Sequence, residues 1–326
     1  MHKKNPTTSV TSPRDRLSYL WLALALVLLP FAAARWSIPL AAWLYPVFLL
    51  RFVRTQSLLR GMLLVLLGTV LVLAFAWQGS AAMLPFPGVF SILLAFGTGV
   101  LVTLPYLIDR VVAPRLGGML GTLVFPLAVT TLWYLSGLFN PSGTWLNPAY
   151  TQYGDLPLLQ LLSVTGLWGI VLVMSWFASV VNWAWERGFA WPRVRGGAAL
   201  YGGLLALVLL FGGARLALFP AQASTVRVAG ISPSQAVLAA AGKQFPLQDS
   251  WNALISGKGT QADRQIVRQH SAPVFDELLL RSEQEARAGA KIIVWPECSG
   301  GTPLLQEDEA ALLGRASRSR YHAHAL

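Results

Sequence analysis

Seven apolar runs, at residues 19–34, 38–50, 61–77, 83–108, 116–135, 156–184 and 196–219, follow one another with only short polar breaks. A helix needs about 20 apolar residues to cross the ~30 Å hydrocarbon of a bilayer. Backbone N–H and C=O groups find no water at that depth and must pair within their own segment, so each run is expected to be a helix. The first two runs are short and are expected to extend into their flanks. Charged residues make up 12% of the chain, about half the share of an ordinary soluble domain. The 13 tryptophans gather near the ends of the runs, where amphipathic rings meet the lipid headgroups. The first two-thirds therefore reads as a polytopic membrane domain of about seven transmembrane helices, residues 19–220, behind a basic tail at 1–18.

The formal charge of +11 would suit a nucleic-acid binder, but its distribution does not. Up to Pro220 there are 14 Lys/Arg against 4 Asp/Glu, and from Ala221 onward 11 against 10. The excess lies between apolar runs, and a nucleic-acid partner is set aside. Twelve basic residues, in the tail and in alternate loops, fall on one side. Arg35 and Arg215 alone fall on the other. The positive-inside rule makes the side with 12 cytoplasmic. Seven spans then carry everything after Phe219 to the outer face of a cell (inner) membrane. A second reading of the first run is a cleaved leader, with its basic start and Ala32–Ala34, and it leaves the remaining orientation unchanged.

No ionisable residue lies mid-span, which counts against an ion-coupled transporter. Asp109, Glu186 and Arg215 lie near span ends, within reach of the interface. The glycine pairs of the last run suit close helix packing. The outer loop at 139–155 reads either as a functional loop or as a cap over the bundle.

Past Phe219 the pattern changes. STVRVAG at 224–230 alternates as a strand does. Residues 231–260 read as loop with some helix. Ser271 is a candidate N-cap with Pro273 in the first turn, and a helix is expected over 274–288. Phe275, Leu278, Leu279 and Ser282 share one face of it, Glu277, Arg281, Gln284 and Glu285 the other. Gly289 stops the helix, KIIVW at 291–295 is a buried-type strand, and 307–316 reads as a further helix. Strand, helix, strand makes a parallel βαβ unit, and chemistry gathers beyond the carboxyl ends of such strands. Glu297 is the first ionisable residue past such an end. It reads either as a solvated loop carboxylate or as a general base.

The segment EARAGAKIIVWPE at 285–297 resembles the helix–strand–PE signature of the nitrilase superfamily of carbon–nitrogen hydrolases. VRVAG resembles that family's first strand. Membrane spans before such a domain, and YTQYGDLPLLQLLSVTG at 150–166, resemble the apolipoprotein N-acyltransferases. The resemblance implies an α/β domain of αββα type beginning in residues 221–326, with Glu297 as catalytic base of a Glu–Lys–Cys triad and no cofactor. It implies a phospholipid acyl donor and a lipoprotein acceptor, whose N-terminal amine receives the acyl chain from a Cys thioester. No lysine follows Lys291 and no cysteine follows Cys298, which sits at a non-catalytic position of the pattern. With 106 residues after Pro220, the domain is under half the family's length. The expectation is therefore a truncated or frame-shifted member, inactive as given. A membrane-anchored amidase-like hydrolase and a catalytically silent module binding lipid or partners are the alternatives. His322 and His324, two residues apart without further ligands, do not make a metal site.

Overall fold

The computed structural model describes residues 17–32, 36–77, 89–140, 143–220, 224–244 and 247–296. They form two compact units that divide between Ala221 and Gln222.

The first unit is helical. Its elements are α1 (Ser18–Leu28), α2 (Pro39–Thr55), α3 (Leu58–Ala76), α4 (Val89–Leu116), α5 (Val124–Phe139), α6 (Leu156–Leu159), α7 (Leu162–Thr165), α8 (Leu167–Trp185) and α9 (Trp191–Leu218). Among the described residues, five segments are long and apolar enough to cross a membrane: α3, α4 from Ile92, Leu120–Phe139, α8 and α9. Two of the expected seven fall short. α1 has 11 residues and tightens into a 3-10 turn, Leu29–Phe31, at Pro30. α2 has 17 residues and carries Arg51 and Arg54 near its end.

The sixth run is not one helix. Asp155 caps α6, its carboxylate accepting from Leu158 N–H at 3.1 Å. α6 and α7 are single turns, and Gly166 at φ +63° breaks the chain before α8. Glycine takes that conformation at no steric cost.

α2 and α8 form the centre. Leu49, Leu50, Phe52 and Val53 of α2 pack with Ile170, Val171, Met174 and Ala178 of α8. Asn182 Nδ2 donates to Val47 O at 2.9 Å and to Ala178 O at 3.0 Å, tying the two helices together. On α3, Leu59, Leu63, Leu67 and Leu71 are each more than half exposed. An apolar ridge of this kind is unsuited to water and suited to lipid. On α9, one glycine of each outer pair faces inward. A Cβ at Gly197 would strike Trp183 and Met119, and one at Gly212 the Pro157 carbonyl, whereas Gly196 and Gly213 face open space. Tyr201 donates to Val173 O at 3.0 Å and holds α9 to α8.

The second unit contains β1 (Val228–Gly230), α10 (Gln235–Gln244), α11 (Leu247–Ile255), α12 (Gln261–Arg287) and β2 (Ile292–Val294). β1 and β2 pair in parallel, Val228 opposite Ile292 and Gly230 opposite Val294. α12 starts earlier than the Ser271 cap predicts. Thr260 and Asp263 form a reciprocal capping box, with Asp263 N–H donating to Thr260 Oγ1 at 3.2 Å and Thr260 N–H to Asp263 Oδ2 at 2.8 Å. That box satisfies two of the free amides at the helix start. Pro273 consequently lies inside the helix, where it has no N–H to donate. Gly289, at φ +94°, follows the helix end. Leu278 is fully buried beneath Ala229, Ile231, Ile293 and Trp295, so α12 covers one face of the strand pair. Leu279, expected on that same face, is exposed. Val226, Val228, Ile292 and Val294 are about half exposed.

Candidate functional site

Glu297 and Cys298 lie outside the described residues, as do residues 307–316 and both C-terminal histidines. The approach to Glu297 is described. Trp295 anchors the end of β2, its Nε1 donating to Ser282 Oγ at 2.9 Å and its ring meeting Phe275 edge-on at 5.4 Å. Ser282 Oγ donates in turn to Leu278 O at 2.6 Å. The strand therefore leaves the sheet from a fixed point two residues before the carboxylate.

Beside β1, a cleft of about 610 Å³ is bordered by Arg227, Val228, Gly230, Ser232, Glu277 and Arg281. Its charges are already engaged. Arg227 pairs with Glu285 at 2.6 Å and Arg281 with Glu277 at 2.6 Å. Glu277 also accepts from Ser234 N–H at 2.9 Å and from its hydroxyl at 3.1 Å. The Ser234 backbone N–H, seconded by its hydroxyl and by Arg281, holds the Glu277 carboxyl below its usual range. Ser234 Oγ in turn accepts from Val237 N–H at 3.3 Å in the first turn of α10. These contacts fasten α10 to α12.

Within the bundle, contacts gather the basic residues at one end. Arg54 of α2 meets Asp109 of α4 and Glu186 at the end of α8. The end of α4, the start of α3 and the start of α9 belong to the same end, which holds Arg51, Arg54, Arg60, Arg110, Arg115, Arg187, Arg193 and Arg195 against Asp109 and Glu186. Arg215 and Asp155 belong to the other end. Asp109, near the end of α4, is shielded by the protein itself. Its side chain is 1% exposed, clasped by Arg54 Nε and Nη2 at 2.9–3.0 Å. A charge taken from water needs such a partner. Three arginines lie over aromatic rings: Arg187 over Trp183 at 4.3 Å, Arg51 over Trp185 at 5.0 Å, and Arg60 over Tyr19 at 5.6 Å.

At the opposite end, the loop before α6 is a cap on the bundle. Asn147, Ala149, Thr151 and Gln152 are buried. Gln152 accepts from Trp43 Nε1 at 3.0 Å and donates to Pro39 O at 3.1 Å, binding the cap to the start of α2. Between cap and core, Tyr45, Tyr106, Phe125, Trp133 and Met174 enclose a slot of about 30 Å³. That is room for a water molecule, far less than an acyl chain needs.

Sequence reasoning missed the Arg54–Asp109–Glu186 cluster. Its one signal was Asp109 itself, the lone carboxylate of α4 where the helix's long apolar run ends, which calls for a partner. No group of three metal-ligating side chains occurs among the described residues. No protein-family model matches the chain, and no curated protein matches it.

Proposed function

We propose that this chain belongs to the lineage of apolipoprotein N-acyltransferases, with Glu297 as the base that activates a cysteine nucleophile. In this reading α1 and α2 complete a set of seven spans. The arginine-rich end faces the cytoplasm of a cell with an inner membrane, and the residues from Gln222 onward lie on its outer side. The observation that carries the reading is the run α12–Gly289–β2, whose strand pairs in parallel with β1 and leads in sequence directly into Trp295, Pro296 and Glu297. The segregation of arginines to one end of the bundle supports the orientation.

The chemistry is acyl transfer in two steps. Glu297 takes the thiol proton of a cysteine, and the thiolate attacks an ester carbonyl of a phospholipid. A thioester forms as the lysophospholipid leaves. The amine of a lipoprotein then attacks the thioester, forming an amide and returning the thiol. A lysine steadies each oxyanion. Residues 299–326 hold neither a lysine nor a cysteine. The 326-residue chain by itself is therefore expected to transfer no acyl group.

Sequencing the gene past the codon for Leu326, in all three frames, tests the assignment. The expected continuation has a strand followed by Lys, a later strand ending in Cys, and one apolar run of about 20 residues. The chain so completed is expected to acylate a diacylated lipopeptide from phospholipid, and Glu297→Gln to slow it about 10²–10⁴-fold. Frames without that Lys, Cys and span would reject the reading. So would a Glu297→Gln rate equal to the parent's.

A further inference from the structure

We propose that the basic end of the bundle carries a headgroup site for anionic phospholipid, centred on Arg60 and Tyr19. Arg60, in the first turn of α3, is exposed, and its guanidinium lies 5.6 Å from the centre of the Tyr19 ring at the start of α1. Among the described residues it meets no carboxylate. Among the described residues at this end, the two acids, Asp109 and Glu186, are both engaged by Arg54. Positive charge is therefore in surplus where Arg60 stands. A guanidinium stacked on a ring keeps its outer N–H groups for a phosphate while losing little further freedom on binding it.

The surface below Arg60 selects the occupant. Leu59, Leu63, Leu67 and Leu71 run down the outside of α3 from the level of Arg60, each more than half exposed. An acyl chain lying along this ridge brings its phosphate to Arg60. At that level Gln56 Nε2 donates to the buried Ser18 Oγ at 2.8 Å, which fixes the start of α1, and with it Tyr19, against the end of α2. A soluble acidic protein or a nucleic acid would use the charge but not the ridge. A zwitterionic lipid would use the ridge but not the surplus charge. An anionic phospholipid uses both.

The inference rests on the chain spanning a membrane, and not on the acyltransferase reading. The test uses the full chain, delipidated in detergent and mixed with phosphatidylglycerol and phosphatidylcholine of equal chain length. Bound lipids are counted by native mass spectrometry. Phosphatidylglycerol is expected to be retained at least about five-fold over phosphatidylcholine, and Arg60→Gln to lower that preference about five-fold. Arg60→Lys is expected to keep most of it, and added salt to weaken it. Equal retention of the two lipids by the parent chain would overturn the proposal without recourse to any variant. An undiminished preference in Arg60→Gln would overturn it too, and displacement of the lipid by inorganic phosphate alone would make the site one for free phosphate. Extraction of the chain from membranes by alkaline carbonate would overturn the spanning itself. Retention there with equal lipid binding would overturn this site alone.

Discussion

The guanidinium of Arg54 lies 2.9 Å from the carboxylate of Asp109, and the two residues stand 55 positions apart on different helices. Arg54 is 14% exposed and Asp109 1%. A pair this deep holds α2 to α4 by attraction and, more strongly, by the penalty for leaving either charge alone. Removing one partner is the costly change. Asp109→Leu is expected to destabilise the bundle by about 3–5 kcal/mol, whereas Arg54→Met with Asp109→Leu is expected to cost far less. Thermal unfolding of Asp109→Leu, Arg54→Met and the double variant in detergent checks this. Costs that simply add would mean that the two side chains do not act as a pair.

The contact of α9 with the short helix α6 depends on Gly212, whose missing side chain leaves room for the Pro157 carbonyl. Backbone cannot step aside as a flexible side chain can. Gly212→Ala is expected to cost about 1–3 kcal/mol through forced separation of the two elements. Gly213→Ala, with nothing within reach of the new methyl, is expected to cost nothing. Unfolding midpoints of the two neighbouring substitutions make the comparison. Equal midpoints would show that α9 does not seat on Pro157.

Much of this architecture was open to reading because its causes are local. Apolar content sustained over a span's length forces helix, and the strand expected over 224–230 forms at Val228–Gly230, though Ala229 and not the alternating valines is its buried residue. Gly289 ends α12 where the pattern placed the stop. What escaped reading had causes that hydropathy does not sense. The break at Gly166 lies within an unbroken apolar run and depends on one positive φ. Thr260 is hard to recognise because α12 starts with a polar stretch, so no apolar period announces it, and Ser-Ala-Pro eleven residues on offers a competing signal. The Arg54–Asp109 pair depends on which helices become neighbours, and no local window contains both. The slot beneath Trp133 likewise exists only once α2, α4, α5 and α8 have met. The packing of 147–152 on the bundle rests on Gln152, a polar residue whose burial no hydropathy window signals.

Acid should loosen the second unit in a defined direction. The Glu277 carboxyl lies below its ordinary value of 4.5, chiefly because Ser234 N–H donates to it. A lowered carboxyl favours the folded state above its unfolded value, and that contribution fades as pH falls through the folded value. The stability difference between the parent chain and Glu277→Gln is therefore expected to stay level down to about pH 4.5 and to shrink below it. Denaturant unfolding of both proteins along a pH series measures the difference. A difference that grew on acidification would mean that Glu277 is not held as a carboxylate by Ser234. The Asp263 carboxyl is lowered in the same direction, chiefly by the Thr260 hydroxyl, so both proteins lose that contribution together.

The orientation of the bundle carries the strongest consequence of the charge arrangement. Among the described residues, eight arginines share one end with two acids, and Arg215 with Asp155 belongs to the other. Translocating a loop rich in arginine across a membrane is disfavoured, so the end holding Arg54, Arg115 and Arg193 is expected in the cytoplasm. α9 starts at that end, with Arg193 and Arg195 in its first turns, and its 28 residues are long enough to carry the chain across. Everything after Phe219 is then expected outside. Cys298, the chain's one cysteine, reports this directly. In intact cells stripped of any outer barrier, a membrane-impermeant maleimide is expected to label the parent chain and to leave Cys298→Ser unlabelled. A cysteine introduced at Gly188, in the loop between α8 and α9, is expected to react in the Cys298→Ser background only after lysis. Labelling of both positions before lysis would indicate leaky cells. The reverse pattern would invert the bundle, put Glu297 in the cytoplasm, and remove the membrane-outer face from the proposed acyl transfer.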